Sequence, residues 1–192
     1  LGCGARYLNE KKGILSLFHA IRRLVLDEPD IHWELELAGE IDTDLSTIYE
    51  DALLDLGIHD HVRFLGYLSR EKFKNQIRNW DIYIQASVCE AFSNSVLEAI
   101  EVGTPFLISD SGYFAEIIKQ DSPQHVMSAV DPFSISKSIR RLREHLLKGD
   151  SDSLRTKAIS SLNQNIVMNQ WRGVWSSLIK PSVSPKVIND DF

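Results

Sequence analysis

The sequence has 192 residues, the size of one domain. With 43% hydrophobic and 25% charged residues it can build a core, and its composition is not that of a disordered chain through most of its length. A net charge of −6 argues against a general nucleic-acid binder, which needs a basic stripe to neutralise phosphates.

Strand and helix signals alternate along the chain. Residues 1–7 read as a short strand leading into a turn at 9–12. The opening Leu-Gly-Cys-Gly-Ala-Arg, without an initiator Met, reads as a strand already under way in a longer chain. From 13 to 26, Ile14, Leu17, Phe18, Ile21, Leu24 and Val25 recur at helical spacing, and Pro29 ends the run. Residues 33–38 alternate as a strand ending at Gly39. A second helix runs through Ile48, Leu53, Leu54 and Leu56 to Gly57, a natural terminator. The pattern repeats with a strand at 62–65, a helix at 70–80 and a strand at 81–86. It continues with a helix at 95–102, a strand at 105–109, a short helix at 114–119 and a strand at 125–130. Helices near 134–147 and 153–178 complete a domain taken as 1–179. The tail 180–192 carries two prolines and little to bury.

This alternation predicts an α/β fold with an open, Rossmann-like doubly wound parallel sheet. Ligands of such a sheet bind in the crevice at the carboxyl ends of its strands. The segments after Tyr7, Ala38, Leu65, Ala86 and Ser109 are therefore where chemistry is sought.

Cys3 and Cys89 are too few for a disulfide framework, and no secretory signal stands at Leu1, so a reducing, cytoplasmic setting is expected. No apolar run approaches the roughly 20 residues that cross a bilayer. The one dense basic cluster, Arg140, Arg141 and Arg143, is read as a solvated helix face.

The segment from Ser87 to Glu98 is the most informative. Glu90 follows a strand end, small and polar residues make a tight loop, and a helix opens. Ser93, Asn94 and Ser95 are all good cap types, and the free N–H groups and dipole of such a helix start suit a phosphate. Glu98, one turn in, is placed to reach two neighbouring hydroxyls. After the first strand, Arg6 and then Lys11, Lys12 and Gly13 put cations on the other side of the same region, where they could pair with a diphosphate. Each segment alone also has a plain reading, as a favourable first-turn acid, a loop carboxylate or surface cations.

Taken together, these segments resemble glycosyltransferase family 4, retaining enzymes of the two-domain GT-B architecture. The likeness is carried by Arg6, by Lys12-Gly13, and by Glu90-Ala91-Phe92-Ser93 followed by Leu97-Glu98-Ala99. It extends to Val62-Arg63-Phe64-Leu65-Gly66, Gly103-Thr104-Pro105, Asp110-Ser111-Gly112 and Glu116-Ile117-Ile118, and to a closing helix at 170–178, so it covers about 1–179. It implies the carboxy-terminal, donor-binding half of such an enzyme. By that resemblance Arg6 and Lys12 hold the diphosphate of a nucleotide sugar, Glu98 the ribose, and Glu90 the transferred sugar near the reacting carbon. Ala91, Phe92, Ser93 and Asn94 offer backbone N–H groups, and Gly39 and Tyr67 line the nucleoside. Ala91 and Ser93 stand where Gly is usual. Lys12 lies one step further from Arg6 than is common, which leaves Lys11 open as the phosphate ligand.

The expected chemistry needs no metal or other cofactor, because Arg6, Lys12 and the helix donors stabilise the departing phosphate. The acceptor, a sugar, glycan or lipid-linked group, falls to an amino-terminal half, as does any peripheral contact with a membrane surface. Two alternatives remain. One is another GT-B enzyme, an epimerase or phosphorylase; the other is a domain that binds nucleotide sugars without turnover.

Other motifs carry less. Gly2-Cys3-Gly4 fails as a dinucleotide fingerprint because Tyr7 takes the third glycine position. Asp42-Thr43-Asp44 is read as a helix cap rather than a metal site. His59 and His61 lack a third ligand. Cys89 is read as a buried or half-buried thiol rather than a nucleophile.

Overall fold

The computed structural model describes residues 1–90 and 93–149. Among these residues six parallel strands form one sheet: β1 (Gly2–Tyr7), β2 (Leu35–Glu40), β3 (Val62–Gly66), β4 (Tyr83–Gln85), β5 (Phe106–Ser109) and β6 (Val126–Met127). Their order is β3-β2-β1-β4-β5-β6, so the chain winds outward from β1 in one direction and from β4 in the other. The expected doubly wound α/β sheet is present. The helix expected over 153–178 and the tail 180–192 lie outside the described residues.

Among the described residues six α-helices cover the sheet: α1 (Ile14–Asp27), α2 (Thr43–Leu56), α3 (Arg70–Asn79), α4 (Asn94–Val102), α5 (Gly112–Asp121) and α6 (Pro132–Leu147). On one face, Leu17, Phe18 and Leu24 of α1 pack with Leu53 of α2 and with Ile139 and Leu142 of α6 against Leu35, Leu37, Ile84 and Leu107. On the other, Ile77 of α3, Val96 and Ala99 of α4 and Ile118 of α5 pack against Ala38, Tyr83, Phe106 and Ile108. Because helices lie on both faces, the strands β2, β4 and β5 are buried over most of their length, while β3 stays partly open to water.

That double cover corrects the reading of 33–38 as an alternating strand. β2 begins at Leu35, and its residues are buried on both faces until Glu40. Glu36 looks like the polar half of an alternation, yet it is only 6% exposed. Its carboxylate accepts from Trp80 Nε1 at 2.7 Å and also binds Arg63 and Gln76. Burial of that charge is tolerated because three donors satisfy it.

The arginine cluster lies at the surface, but its cations are paired. Arg140 of α6 bonds Asp27 and Glu28 at the end of α1, each at 2.6 Å. Arg143 reaches the same Glu28 at 3.7 Å and lies over the Trp33 ring, while Arg141 donates to the carbonyls of Gln124 and Val126. These cations tie α6 to α1 and to the turn before β6.

Candidate functional site: a cleft at the β1/β4 switch point

Connections leave β1 and β4 in opposite directions, and between their carboxyl ends the sheet opens a crevice. A cleft of about 550 Å³ lies there, within the range of small-molecule sites.

One wall comes from the β1–α1 segment. The β1/β2 register shifts between Gly4 and Tyr7, and such an irregularity re-aims the side chains within it. Arg6 sits in it and lines the cleft. Its guanidinium lies 5.4 Å from the Tyr7 ring centroid, and among the described residues it has no carboxylate partner. Glu10–Lys12 form a 3-10 turn that ends at Gly13, whose φ of 65° is left-handed. A Cβ at Gly13 would stand 2.1 Å from the carbonyl oxygen of Ala86, so only glycine fits. Val88 N donates to Lys11 O at 2.8 Å, which lashes this loop to the one after β4. The turn directs Lys12 into the cleft, whereas Lys11 lines a separate hollow with Asp42 and Asp44. Of the two lysines, the geometry places Lys12 against the other candidate residues.

The floor and second wall follow β4. Glu90 lines the cleft and bonds Lys12, Nζ to Oε2, at 2.9 Å. The same oxygen accepts from Gln85 Nε2 at 3.3 Å. Ser93 caps α4, its Oγ accepting from Val96 N at 3.4 Å. The first-turn N–H groups of Asn94 and Ser95 have no partner within the helix, and both residues line the cleft beside Ser93. Ala91 and Phe92 lie outside the described residues. The Tyr83 hydroxyl is 2.9 Å from Gly4 O and 2.7 Å from Ser95 Oγ. A carbonyl can only accept, so the single phenolic proton goes to Gly4 O and Ser95 donates to the tyrosine. Burial holds the Tyr83 hydroxyl well above its ordinary pKa, so it stays protonated and ties β1 to α4.

The third wall comes from β2, β3 and α3. Gly39, with φ 153°, brings β2 against β1; a Cβ there would be 2.4 Å from Ala5 O. Tyr67 is 61% exposed at the rim. Glu98 reaches across from α4 and pairs with Arg70 of α3, Oε1 to Nε, at 3.1 Å. Arg70 and Gln85 bond the carboxylates of the cleft, and the sequence does not single them out. Each is recognised only through a partner on another element, and sequence offered no signal for either beyond polar character.

The remaining motifs resolve simply. Asp42 caps α2, accepting from Leu45 N at 2.9 Å. His61 Nδ1 bonds Trp33 O at 2.8 Å, and among the described residues no group of three metal-ligand side chains forms. Cys89 is exposed, contrary to the buried or half-buried expectation, because the loop after β4 turns it outward. Cys3 is the buried thiol, pushed up to about 12 by that burial and so inert at neutral pH. Among the described residues no helix is long and apolar enough to cross a membrane.

Comparison with known proteins identifies the family and the fold. The family model for glycosyl transferases group 1 matches residues 5–158. The chain belongs to that family. An uncharacterized glycosyltransferase of Methanocaldococcus jannaschii is 30% identical over 135 residues, 70% of this chain and 33% of that protein. The chain thus spans about a third of that relative's length. The fold resembles the C-terminal domain of a group 1 glycosyl transferase from Francisella tularensis, at TM-score 0.63 and 22% identity over 88% of this chain and 85% of that one. It also resembles the Anabaena protein HepE, solved with UDP, at TM-score 0.72 and 18% identity over 93% of this chain and 48% of that one. In this member of the group 1 family the match takes in the Arg6, Lys12, Glu90 and Glu98 segments together.

Proposed function

We propose that this chain binds a nucleotide-diphosphate sugar and forms the donor half of a retaining glycosyltransferase. The observation that supports it is the convergence of Arg6, Lys12 and the α4 N-terminus with Glu90 and Glu98 in one cleft at the switch point. Cations and free helix N–H groups suit a diphosphate, and a carboxylate suits paired hydroxyls. The solved complex of HepE with UDP, a protein of the same fold, is consistent with such a ligand.

In this reading the diphosphate lies between Arg6, Lys12 and the start of α4. The ribose reaches Glu98, the base lies toward Gly39 and Tyr67, and the sugar extends toward Glu90. Transfer builds positive charge on the sugar and negative charge on the departing phosphate. Arg6, Lys12 and the helix donors stabilise that leaving group without a metal. Retention follows if the acceptor enters on the face the leaving group vacates, through a short-lived ion pair. Because the chain spans about a third of its relative, the acceptor is assigned to the rest of the protein, and the chain by itself is expected to bind donor without transferring it. An acceptor that is not oriented forfeits roughly 7–11 kcal/mol of the barrier reduction that good positioning gives. A cytoplasmic setting fits the supply of such donors.

Thermal shift against a panel of nucleotide sugars tests the binding claim, since a ligand at 100 times its Kd stabilises by about 2.7 kcal/mol. Glu98→Gln should weaken nucleoside diphosphate binding, and Glu90→Gln should not. Equal losses in both variants would falsify the assigned roles.

A further inference from the structure

Glu90 Oε2 receives both the Lys12 ammonium at 2.9 Å and the Gln85 amide at 3.3 Å. The Lys12 and Glu90 side chains are 25% and 22% exposed, so the pair is partly desolvated yet open to the cleft. Gln85 closes β4 and is 7% exposed. Among the described residues its side chain has no partner but Glu90, and Lys12 no other carboxylate. A diphosphate can therefore engage Lys12 only in competition with Glu90. If the ammonium were shared, it would also draw two anions together, which like charges resist.

We propose that the Lys12–Glu90 pair is a competitor built into the donor site, and that Gln85 is a positioning residue that keeps the displaced carboxylate aimed into the cleft. The inference rests on the nucleotide-sugar reading above and adds how the site tells a donor from its spent nucleotide. A bare nucleoside diphosphate takes Lys12 and leaves Glu90 ionised, without a cation, near the phosphates. A donor that carries its sugar brings hydroxyls that donate to the freed Glu90 oxygens while the Gln85 amide holds the carboxylate in place. Substrate is thereby favoured over product, and release of the spent nucleotide is assisted as Lys12 returns to Glu90.

The test measures affinities of the intact chain for UDP with UDP-glucose, GDP with GDP-mannose, and ADP with ADP-glucose by titration calorimetry. Glu90→Gln should bind the preferred nucleoside diphosphate about fivefold tighter, as loss of a partly exposed competing pair allows. It should bind the corresponding sugar nucleotide no tighter. The gain should vanish when Lys12→Gln is also present. Gln85→Met should weaken the sugar nucleotide while sparing the diphosphate, a split that a merely structural role would not produce. An unchanged or lowered diphosphate affinity in Glu90→Gln overturns the exchange. Equal losses of both ligands in Gln85→Met overturn its positioning role. Should Gln85→Met not fold, the partly exposed Glu90→Gln and Lys12→Gln cycle still decides the exchange. Absence of nucleotide binding to the unaltered chain overturns the reading of the site and this inference with it.

Discussion

Glu36 and Glu90 belong to opposite ends of the same sheet. Glu36 lies near the amino end of β2, 6% exposed, with its carboxylate held by Trp80, Arg63 and Gln76. Glu90 follows the carboxyl end of β4, partly exposed, with one oxygen shared by Lys12 and Gln85. Both are acids with a cation and an amide beside them, and they differ in what surrounds those donors. Among the partners of Glu36, Trp80 is itself buried in the core, so giving up its bond disturbs the packing, whereas Arg63 reaches Glu36 from the open side, 61% exposed. The cation of Glu90 comes from a turn that faces a cleft, so a ligand can take it without disturbing the core. One carboxylate belongs to stability and the other to exchange, and paired charge alone does not tell them apart.

Substitution sharpens the contrast. Glu36→Leu should have the largest effect on folding, about 3 kcal/mol, since it strands the buried Trp80 N–H and removes charge-assisted bonds. Urea denaturation measures it, and nucleotide affinity of the folded fraction should stay unchanged. Arg6→Ala should leave the urea midpoint where it was and cost about 1.5–3 kcal/mol of diphosphate affinity, because Arg6 has no competing carboxylate among the described residues. Lys12→Ala should cost less, about 1 kcal/mol, because its interaction with phosphate is gained at the expense of Glu90. Equal losses for Arg6 and Lys12 in calorimetry would count against a competing pair.

The smallest effect belongs to His125, a buried group committed to the fold. Its Nδ1 bonds Phe106 O at 2.6 Å, and burial pushes its pKa below the ordinary value. The folded protein therefore binds fewer protons here than the unfolded chain, whose histidine titrates near ~6.5. Stability from this group is whole above that value and is lost as pH falls through it toward the folded value. Denaturation midpoints should drop between neutral pH and pH about 5.5, and His125→Gln should flatten the drop. A slope unchanged by the substitution would assign the acid sensitivity elsewhere.

The layered fold was legible because each helix carries its own apolar stripe, as Ile14, Leu17, Phe18 and Ile21 do. Strand limits were less so. A strand covered on both faces shows no alternation, and the buried charge of Glu36 imitated one. The groups now gathered in the cleft could be picked out as strand-end residues, because a doubly wound sheet sends such residues to one edge. Their pairings were not legible. Arg70 meets Glu98, and Gln85 meets Glu90, only once α3, α4 and β4 are set side by side. The outward turn of Cys89 and the binding of Arg140 to Asp27 and Glu28 depend on the same spatial knowledge.

The contact of Gly13 against Ala86 O, with the bond from Val88 N to Lys11 O, makes the Lys12 end of the cleft a single welded piece. The opposite wall hangs from β3, which among the described residues has a neighbour on one side only, and from the rim residues Tyr67 and Arg70. Tolerance to change is therefore uneven across the site. A protein engineer seeking a different donor has little room to widen the cleft near Lys12, where any side chain added at Gly13 meets backbone. Tyr67 and Arg70 form the adjustable jaw, where new side chains can be tried without moving the fixed one.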